Sequence, residues 1–301
     1  MRTDCATRKR GCPRPASGCP RPPQSTAVST FAGADPQTGA LARGATHSVR
    51  RFPRFVTRTY EYSRLTHARI GRMSDAICMV SGGLDSCVTA AVAHSRGLPL
   101  AFLHVNYGQL TAARELRAFN EIADHYQVSE RFVANPTHLR KMGGSALTDP
   151  SIALPEGELD REGIPVSYVP FRNANLLSIA TSWAEVLKAR WIYMGAVQED
   201  SSGYPDCRES FFKAFNTVIE EGTKPDTSIE IVTPLIHLSK KEIVDMGVAL
   251  KVPFHLTWSC YKEEEIACGH CDSCLLRLRG FQQAELHDPL LYRVSTRISV
   301  E

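Results

Sequence analysis

The sequence predicts an α/β protein, a doubly wound and mostly parallel sheet with a four-cysteine metal site near the C-terminus, and three observations predict it. From Ala76 onward, apolar runs of strand length alternate with segments of helical period, which implies βαβ units. The first run ends in Ser81-Gly82-Gly83-Leu84-Asp85-Ser86, a turn built to hold an anion. Farther on, Cys260, Cys268, Cys271 and Cys274 follow a C-x7-C-x2-C-x2-C spacing.

In chain order, residues 1–72 come first and differ in character, with fourteen Lys or Arg against three Asp or Glu. They carry Pro13-Arg14-Pro15 and Pro20-Arg21-Pro22-Pro23 and keep no helical or strand period, so disorder is expected. Their Arg-rich, acid-poor composition mimics a transit peptide, but the early prolines oppose an amphipathic targeting helix. Met73 stands three residues before the first strand, and the natural product is expected to begin there, a genuine disordered tail being the alternative. Residues 73–301 are then a single domain, with 255–285 as its metal-binding segment. Within it, strand Ala76–Val80 leads to helix Ser86–His94, strand Leu98–Val105 and helix Ala112–Tyr126. Val169-Pro170-Phe171-Arg172-Asn173 opens a helix running over Leu176–Leu187, and strand Trp191–Ala196 follows, with Gly195 starting a second loop. Ligands bind beyond the carboxyl ends of such strands, where loops 81–86, 106–109 and 196–208 converge.

The loop at 81–86 is the strongest single signal. Gly82 and Gly83 let the backbone turn tightly and approach an anion, while the next helix offers unpaired N–H groups and its positive dipole end. A Walker loop needs a Lys before the final Ser or Thr, and Asp85 occupies that place. The loop therefore resembles the pyrophosphate loop of ATP-dependent adenylating enzymes. A plain glycine turn is the alternative, and the strand before and the helix after argue against it. The stretch assigned to ATP runs Val80, Ser81, Gly82, Gly83, Leu84, Asp85, Ser86, Cys87, Val88, Thr89 and Ala90.

Four clustered thiolates suit tetrahedral zinc, one ion per chain, and Gly269 permits the tight turn between two of them. An iron–sulfur cluster or unligated thiols are the alternatives. Four protein ligands leave no open position, so a structural zinc is expected. Cys78 and Cys87 read as small buried hydrophobes, and Cys207, beside Arg208, as the candidate reactive thiol. The ten cysteines come without a continuous apolar signal segment, which favours a reducing cytoplasm over secretion, and no apolar run is long enough to cross a bilayer. The net charge of +3 hides a division: residues 73–301 carry 21 basic and 29 acidic groups, a net of −8. No nucleic-acid partner is expected of an acidic domain.

Polar groups gather at the expected strand ends. Tyr107 and Gln109 follow the second strand, Arg172 and Asn173 open a helix, and Tyr204, Asp206 and Arg208 fill a later loop. Arg172 and Arg208 can grip a carboxylate or phosphate bidentately, while Asp206, Asp200 or Glu199 can accept from the amino-imino edge of a guanine-like base. Lys240 can neutralise phosphate or serve as a solvated helix-start lysine, and His104 reads as a satisfied core histidine.

Taken together, Ser81–Ser86, Tyr107–Gln109, Val169–Asn173, Gly203–Arg208, Pro234–Lys240, Ser259-Cys260-Tyr261 and the Cys268–Cys274 cluster resemble the 7-cyano-7-deazaguanine synthase family, QueC, over residues 75–282. Asn106, where the family often has Asp, and Leu110-Thr111, where it has basic residues, depart from its pattern. The resemblance implies an adenine nucleotide alpha hydrolase-like fold. It also implies a carbon–nitrogen ligase that takes 7-carboxy-7-deazaguanine, ammonia and ATP to the nitrile through two adenylations. Mg²⁺ on the phosphates, a homodimer, and Asp85, Lys240 and Arg208 as the catalytic set follow from the same resemblance. A tRNA sulfurtransferase using Cys207, an ammonia-dependent synthetase, and a non-catalytic zinc RNA-binding module are the competing functions.

Overall fold

Five segments pair into one sheet: β1 (Ala76–Met79), β2 (Leu100–Val105), β3 (Glu130–Ala134), β4 (Trp191–Met194) and β5 (Glu230–Val232). Their order is β3-β2-β1-β4-β5 and every pair is parallel. The computed structural model describes residues 74–154, 163–198 and 203–293, all within the unit Thr66–Glu301. The expected disorder of 1–72, a start at Met73, and the acceptors Glu199 and Asp200 lie outside the described residues.

Parallel strands need crossovers, and helices supply them: α1 (Leu84–Ser95), α2 (Ala112–His125), α3 (His138–Met142), α4 (Arg172–Leu187), α5 (Glu209–Gly222), α6 (Lys240–Ala249) and α7 (Asp272–Gln283). The period-two alternation of β1 feeds two cores at once. Ala76, Cys78 and Val80 join Cys87 of α1, Phe119 of α2, Ile243 of α6 and Phe281 of α7 on one face. Ile77 and Met79 join Leu177 and Ala184 of α4 and Phe212 and Ile219 of α5 on the other. A strand covered on both faces must be apolar throughout, and all four residues of β1 are buried.

The expected elements stand where the pattern put them, with shifted ends. α1 starts at Leu84 rather than Ser86, α4 starts at Arg172, inside the Val169–Asn173 stretch expected to open it, and β4 stops at Met194 rather than Ala196. β3 and β5 were not foreseen. They are the sheet's edges, reading Glu-Arg-Phe-Val-Ala and Glu-Ile-Val, short and charged as exposed edges tend to be, and such runs carry little apolar signal. No helix among the described residues is long and apolar enough to cross a membrane.

Candidate functional site

Strand order reverses between β1 and β4, and the crevice this opens at the carboxyl ends holds a cavity of about 310 Å³. Its floor is the loop after β1. Gly82 sits at φ +94°, and a Cβ there would lie 2.6 Å from the Glu115 carbonyl oxygen, so only glycine fits. The Ser81 hydroxyl donates to Ser86 Oγ at 3.1 Å, and the Ser86 hydroxyl donates to the Gly83 carbonyl at 2.9 Å. The Trp258 N–H, from the chain that leads to the cysteines, donates to the Gly82 carbonyl at 2.8 Å. No side chain caps α1 at Gly83, so its first turn, carrying Asp85 and Ser86, presents helix-end N–H groups at the cavity. Gly195 lets β4 touch this turn, since a Cβ there would lie 2.9 Å from the Asp85 carbonyl oxygen.

The residues assigned to ATP divide in the structure. Ser81, Gly83, Leu84, Asp85 and Ser86 line the cavity. Cys87, Val88 and Ala90 instead pack at 0% exposure in the core, and Thr89 is equally buried, because the inward face of α1 turns away from the cavity. These four shape the helix and offer no side chain to a ligand. Burial pushes the Cys87 thiol up to about 12 and Cys78 higher still, as inert core residues require.

Lys240 is buried rather than solvated. Its Nζ donates to both Asp85 carboxylate oxygens, at 2.9 and 3.0 Å, across the cavity. Ser239 and Glu242 form a capping box that starts α6 at Lys240, and Gly280 of α7 leaves space for the lysine stem, where a Cβ would overlap Lys240 Cγ.

The far wall carries the substrate candidates. Gln109 accepts from the Tyr107 N–H at 3.0 Å and donates to Glu115 Oε2 at 2.9 Å, while Thr111 donates to Glu115 Oε1 at 3.0 Å. Burial pushes the Glu115 carboxyl up to about 7 against the pull of these two donors and of Arg172. Arg172 donates to the Tyr107 hydroxyl at 3.3 Å and follows Phe171, a left-handed residue at φ +55° whose N–H is held by the Tyr168 hydroxyl at 2.9 Å. Asn173 and Asp206 meet each other. The Asn173 N–H donates to Asp206 Oδ2 and its side-chain amide to the Asp206 carbonyl, both at 2.9 Å, so Asp206 caps the start of α4 from another element. Asp206 is 2% exposed, and its second oxygen, Oδ1, has no partner among the described residues. Tyr204 and Cys207 line the cavity, and the Cys207 sulfur accepts from the Asn173 side-chain amide at 3.3 Å. Arg208 stands apart, at the start of α5, lining a shallow recess with Gln198, Gly203, Tyr204, Glu209 and Ser210. The catalytic set named from sequence is thus split: Asp85 and Lys240 are in contact and Arg208 is outside the main cavity. His104 is buried with Nδ1 on the Val80 carbonyl at 3.0 Å, but its Nε2 has no partner among the described residues, so the core histidine is only half satisfied.

The four cysteines converge. Their sulfurs all lie within 4.8 Å of one another and all four residues are buried. The Cys268 and Cys274 sulfurs are 3.9 Å apart, close to the ~3.8 Å that a tetrahedron with metal–sulfur bonds of about 2.3 Å requires. Hydrogen bonds from the Cys271 and Cys274 thiols, and from backbone N–H groups of Cys268 and Lys262, hold Cys260 well below the ordinary thiol range. Gly269 makes its turn at φ +84°.

Sequence reasoning missed Glu115, Trp258, Arg277 and Gly280. Glu115 and Arg277 sit on helices as charged residues among other charged residues, and nothing in their spacing marks them. The Ser-x-x-Glu box at Ser239–Glu242 was a legible helix start.

A family profile described as "Queuosine biosynthesis protein QueC" matches residues 75–285. The 7-cyano-7-deazaguanine synthase of Chlorobium phaeobacteroides is 57% identical over 217 residues, 72% of this chain and 96% of that protein. The enzyme of the same name from Chloroherpeton thalassium is 56% identical over 219 residues, 73% of this chain and 97% of that one. Among solved structures, NMN synthetase from Francisella tularensis aligns with 62% of this chain and 64% of its own at 17% identity and a TM-score of 0.37.

Proposed function

The chain belongs to the QueC family of queuosine biosynthesis proteins, and from that premise we propose that it converts 7-carboxy-7-deazaguanine, ammonia and ATP into 7-cyano-7-deazaguanine. The observation that carries this reading is the Ser81–Ser86 loop, uncapped and opening on the same cavity as Tyr107, Glu115 and Arg172. A carboxylate resists ammonia because hydroxide leaves poorly. Its oxygen therefore attacks the ATP α-phosphorus, pyrophosphate leaves, and ammonia displaces AMP to give the amide. The amide oxygen is adenylated in turn, and loss of AMP gives the nitrile.

In this reading the α1 N-terminus and the two serine hydroxyls bind the departing pyrophosphate. Lys240, fixed by Asp85, places a positive charge beside it, and Asp85 also orients the loop. Arg172 and Tyr107 hold the planar substrate, with Gln109, Tyr204 and Asn173 completing its wall. Asp206 positions Asn173 and Cys207. Arg208, in its recess beside Tyr204, would meet the substrate only from outside the cavity that holds Asp85 and Lys240. Mg²⁺ would neutralise phosphate charge, with the Asp85 carboxylate the group in the cavity suited to it. Zinc would hold the four cysteines, whose short mutual distances support a single ion over a larger cluster. Residues 73–301 form the catalytic unit, in a cytoplasmic homodimer.

The test is an assay of the full chain with ATP, Mg²⁺, ammonia and 7-carboxy-7-deazaguanine, following AMP and nitrile by mass spectrometry. Nitrile with two AMP per turnover is the expected result. ATP binding without carboxylate-dependent turnover would remove the substrate from the proposal.

A further inference from the structure

Glu115 is a carboxyl group placed between the two halves of the cavity. Its backbone carbonyl abuts Gly82 of the phosphate loop, and its side chain lines the cavity that Arg172 and Tyr107 also line. Both oxygens are fixed, Oε2 by Gln109 at 2.9 Å and Oε1 by Thr111 at 3.0 Å. Each carboxylate oxygen accepts twice, so one acceptor position on each remains for a ligand. The groups that bear on its charge are Arg172 from α4, Tyr107 from the preceding loop and Glu264 from the cysteine segment.

The reaction proposed above releases protons from one atom, the nitrogen that ammonia contributes. When ammonia adds to the acyl adenylate, the new C–N bond leaves a cationic nitrogen that must lose a proton before the C–O bond breaks and AMP departs with the electron pair. When the amide is adenylated on oxygen its nitrogen becomes cationic and loses one proton to give the imidate; the remaining imidate N–H bond then supplies the electrons of the third C–N bond, its proton leaves, and the second AMP departs. We propose that Glu115 is the catalytic base that takes the proton from this nitrogen in both steps. The inference rests on the proposed function. A carboxyl titrating near neutral pH is matched to accepting a proton and returning it to solvent.

The experiment compares the unaltered chain with Glu115→Gln and Thr111→Val. Carboxylate-dependent exchange of pyrophosphate into ATP reports the first adenylation, which moves no nitrogen proton. Glu115→Gln keeps this exchange within a few-fold, while nitrile formation at saturating ammonia falls by about 10²–10⁴-fold, the usual worth of a general base. In Thr111→Val, the loss of a donor to the charged form moves the rising limb of the pH–kcat profile, near pH 7 in the unaltered chain, to higher pH. If exchange falls as far as nitrile formation in Glu115→Gln, or if the limb stays in place in Thr111→Val, Glu115 is a positioning residue and the inference is overturned. An unaltered chain with no carboxylate-dependent exchange would instead overturn the proposed function, and the base assignment with it.

Discussion

Asp288→Ala is expected to destabilise the chain by about 3–5 kcal/mol, the cost of leaving one buried charge without its partner. Asp288 receives Arg277 through two short hydrogen bonds, at 2.7 and 2.9 Å, with both side chains nearly sealed from solvent at 3% and 2% exposure. The same guanidinium donates to Thr257 Oγ1 at 2.6 Å and to the Phe254 carbonyl at 3.2 Å, and Asp288 also accepts from the Leu290 N–H at 3.1 Å and the Tyr292 hydroxyl at 2.5 Å. One ion pair therefore ties α7, the stretch leading to Trp258 and Cys260, and the 288–292 segment whose Tyr292 bridges to Ala267 beside the cysteines. Truncation to Ala strands the guanidinium, 2% exposed, without its carboxylate. Urea titration of the metal-loaded chain, followed by tryptophan fluorescence, reads the loss directly. A matched pair of apolar replacements, Arg277→Met with Asp288→Leu, is expected to cost much less than Asp288→Ala alone, because no unpaired charge remains. A loss below about 1 kcal/mol for Asp288→Ala, the value of a surface pair, would refute the reasoning. So would a double variant no more stable than the single.

Asp85→Ala, which strips Lys240 of its partner at the loop, is expected to abolish adenylation; pyrophosphate exchange at the unaltered rate would contradict the assignment. Gly280→Ala drives a methyl group into the Lys240 stem and is expected to lower the rate of ATP consumption at least tenfold while Asp85 and Lys240 themselves are unchanged, a loss of about 1.4 kcal/mol in transition-state binding. Chelation is expected to lower Tm and to be reversed by added zinc, because metal binding to a four-thiolate site is folding free energy; a Tm indifferent to chelator would deny the cysteines a structural ion. Glu115 has its folded pKa raised from 4.5 to about 7, so between those values the folded chain keeps a proton that the unfolded chain has lost, and stability falls as pH rises, by at most about 3 kcal/mol at 1.36 kcal/mol per unit. Glu115→Gln removes this slope, and its urea midpoint relative to the parent chain is expected to rise from pH 5 to pH 8.

Sequence pattern reached the central strands because a parallel strand buried on both faces is largely apolar, and glycine turns or helices mark their ends: Gly82-Gly83 after β1, α1 and Gly97 before β2, and α4 before β4. The loop at Ser81–Ser86 was legible for a related reason: all its parts are local, with both glycines and both serines inside six consecutive residues and the helix beginning among them. The same holds for the cysteines, whose spacing needs only one tight turn at Gly269 to bring three sulfurs together. Edge strands escaped notice because charge and brevity erase the periodic signal.

What the sequence by itself determined were the features written within a short window: the βαβ alternation, the anion loop and the thiolate cluster. Tertiary structure alone decided that Asp85 and Lys240, 155 residues apart, share two hydrogen bonds, and that Gly280 is the residue that makes room for them. It also decided that Asp206 caps α4 and that Arg208 faces a separate recess. Above all it placed Glu115 beneath the loop and pushed its carboxyl toward neutrality. The physical reason is that a charged side chain takes its character from its surroundings. Burial and the neighbours that bear on Glu115, chiefly Gln109, Thr111 and Arg172, set its proton affinity, and those neighbours are assembled by the crossovers of the sheet.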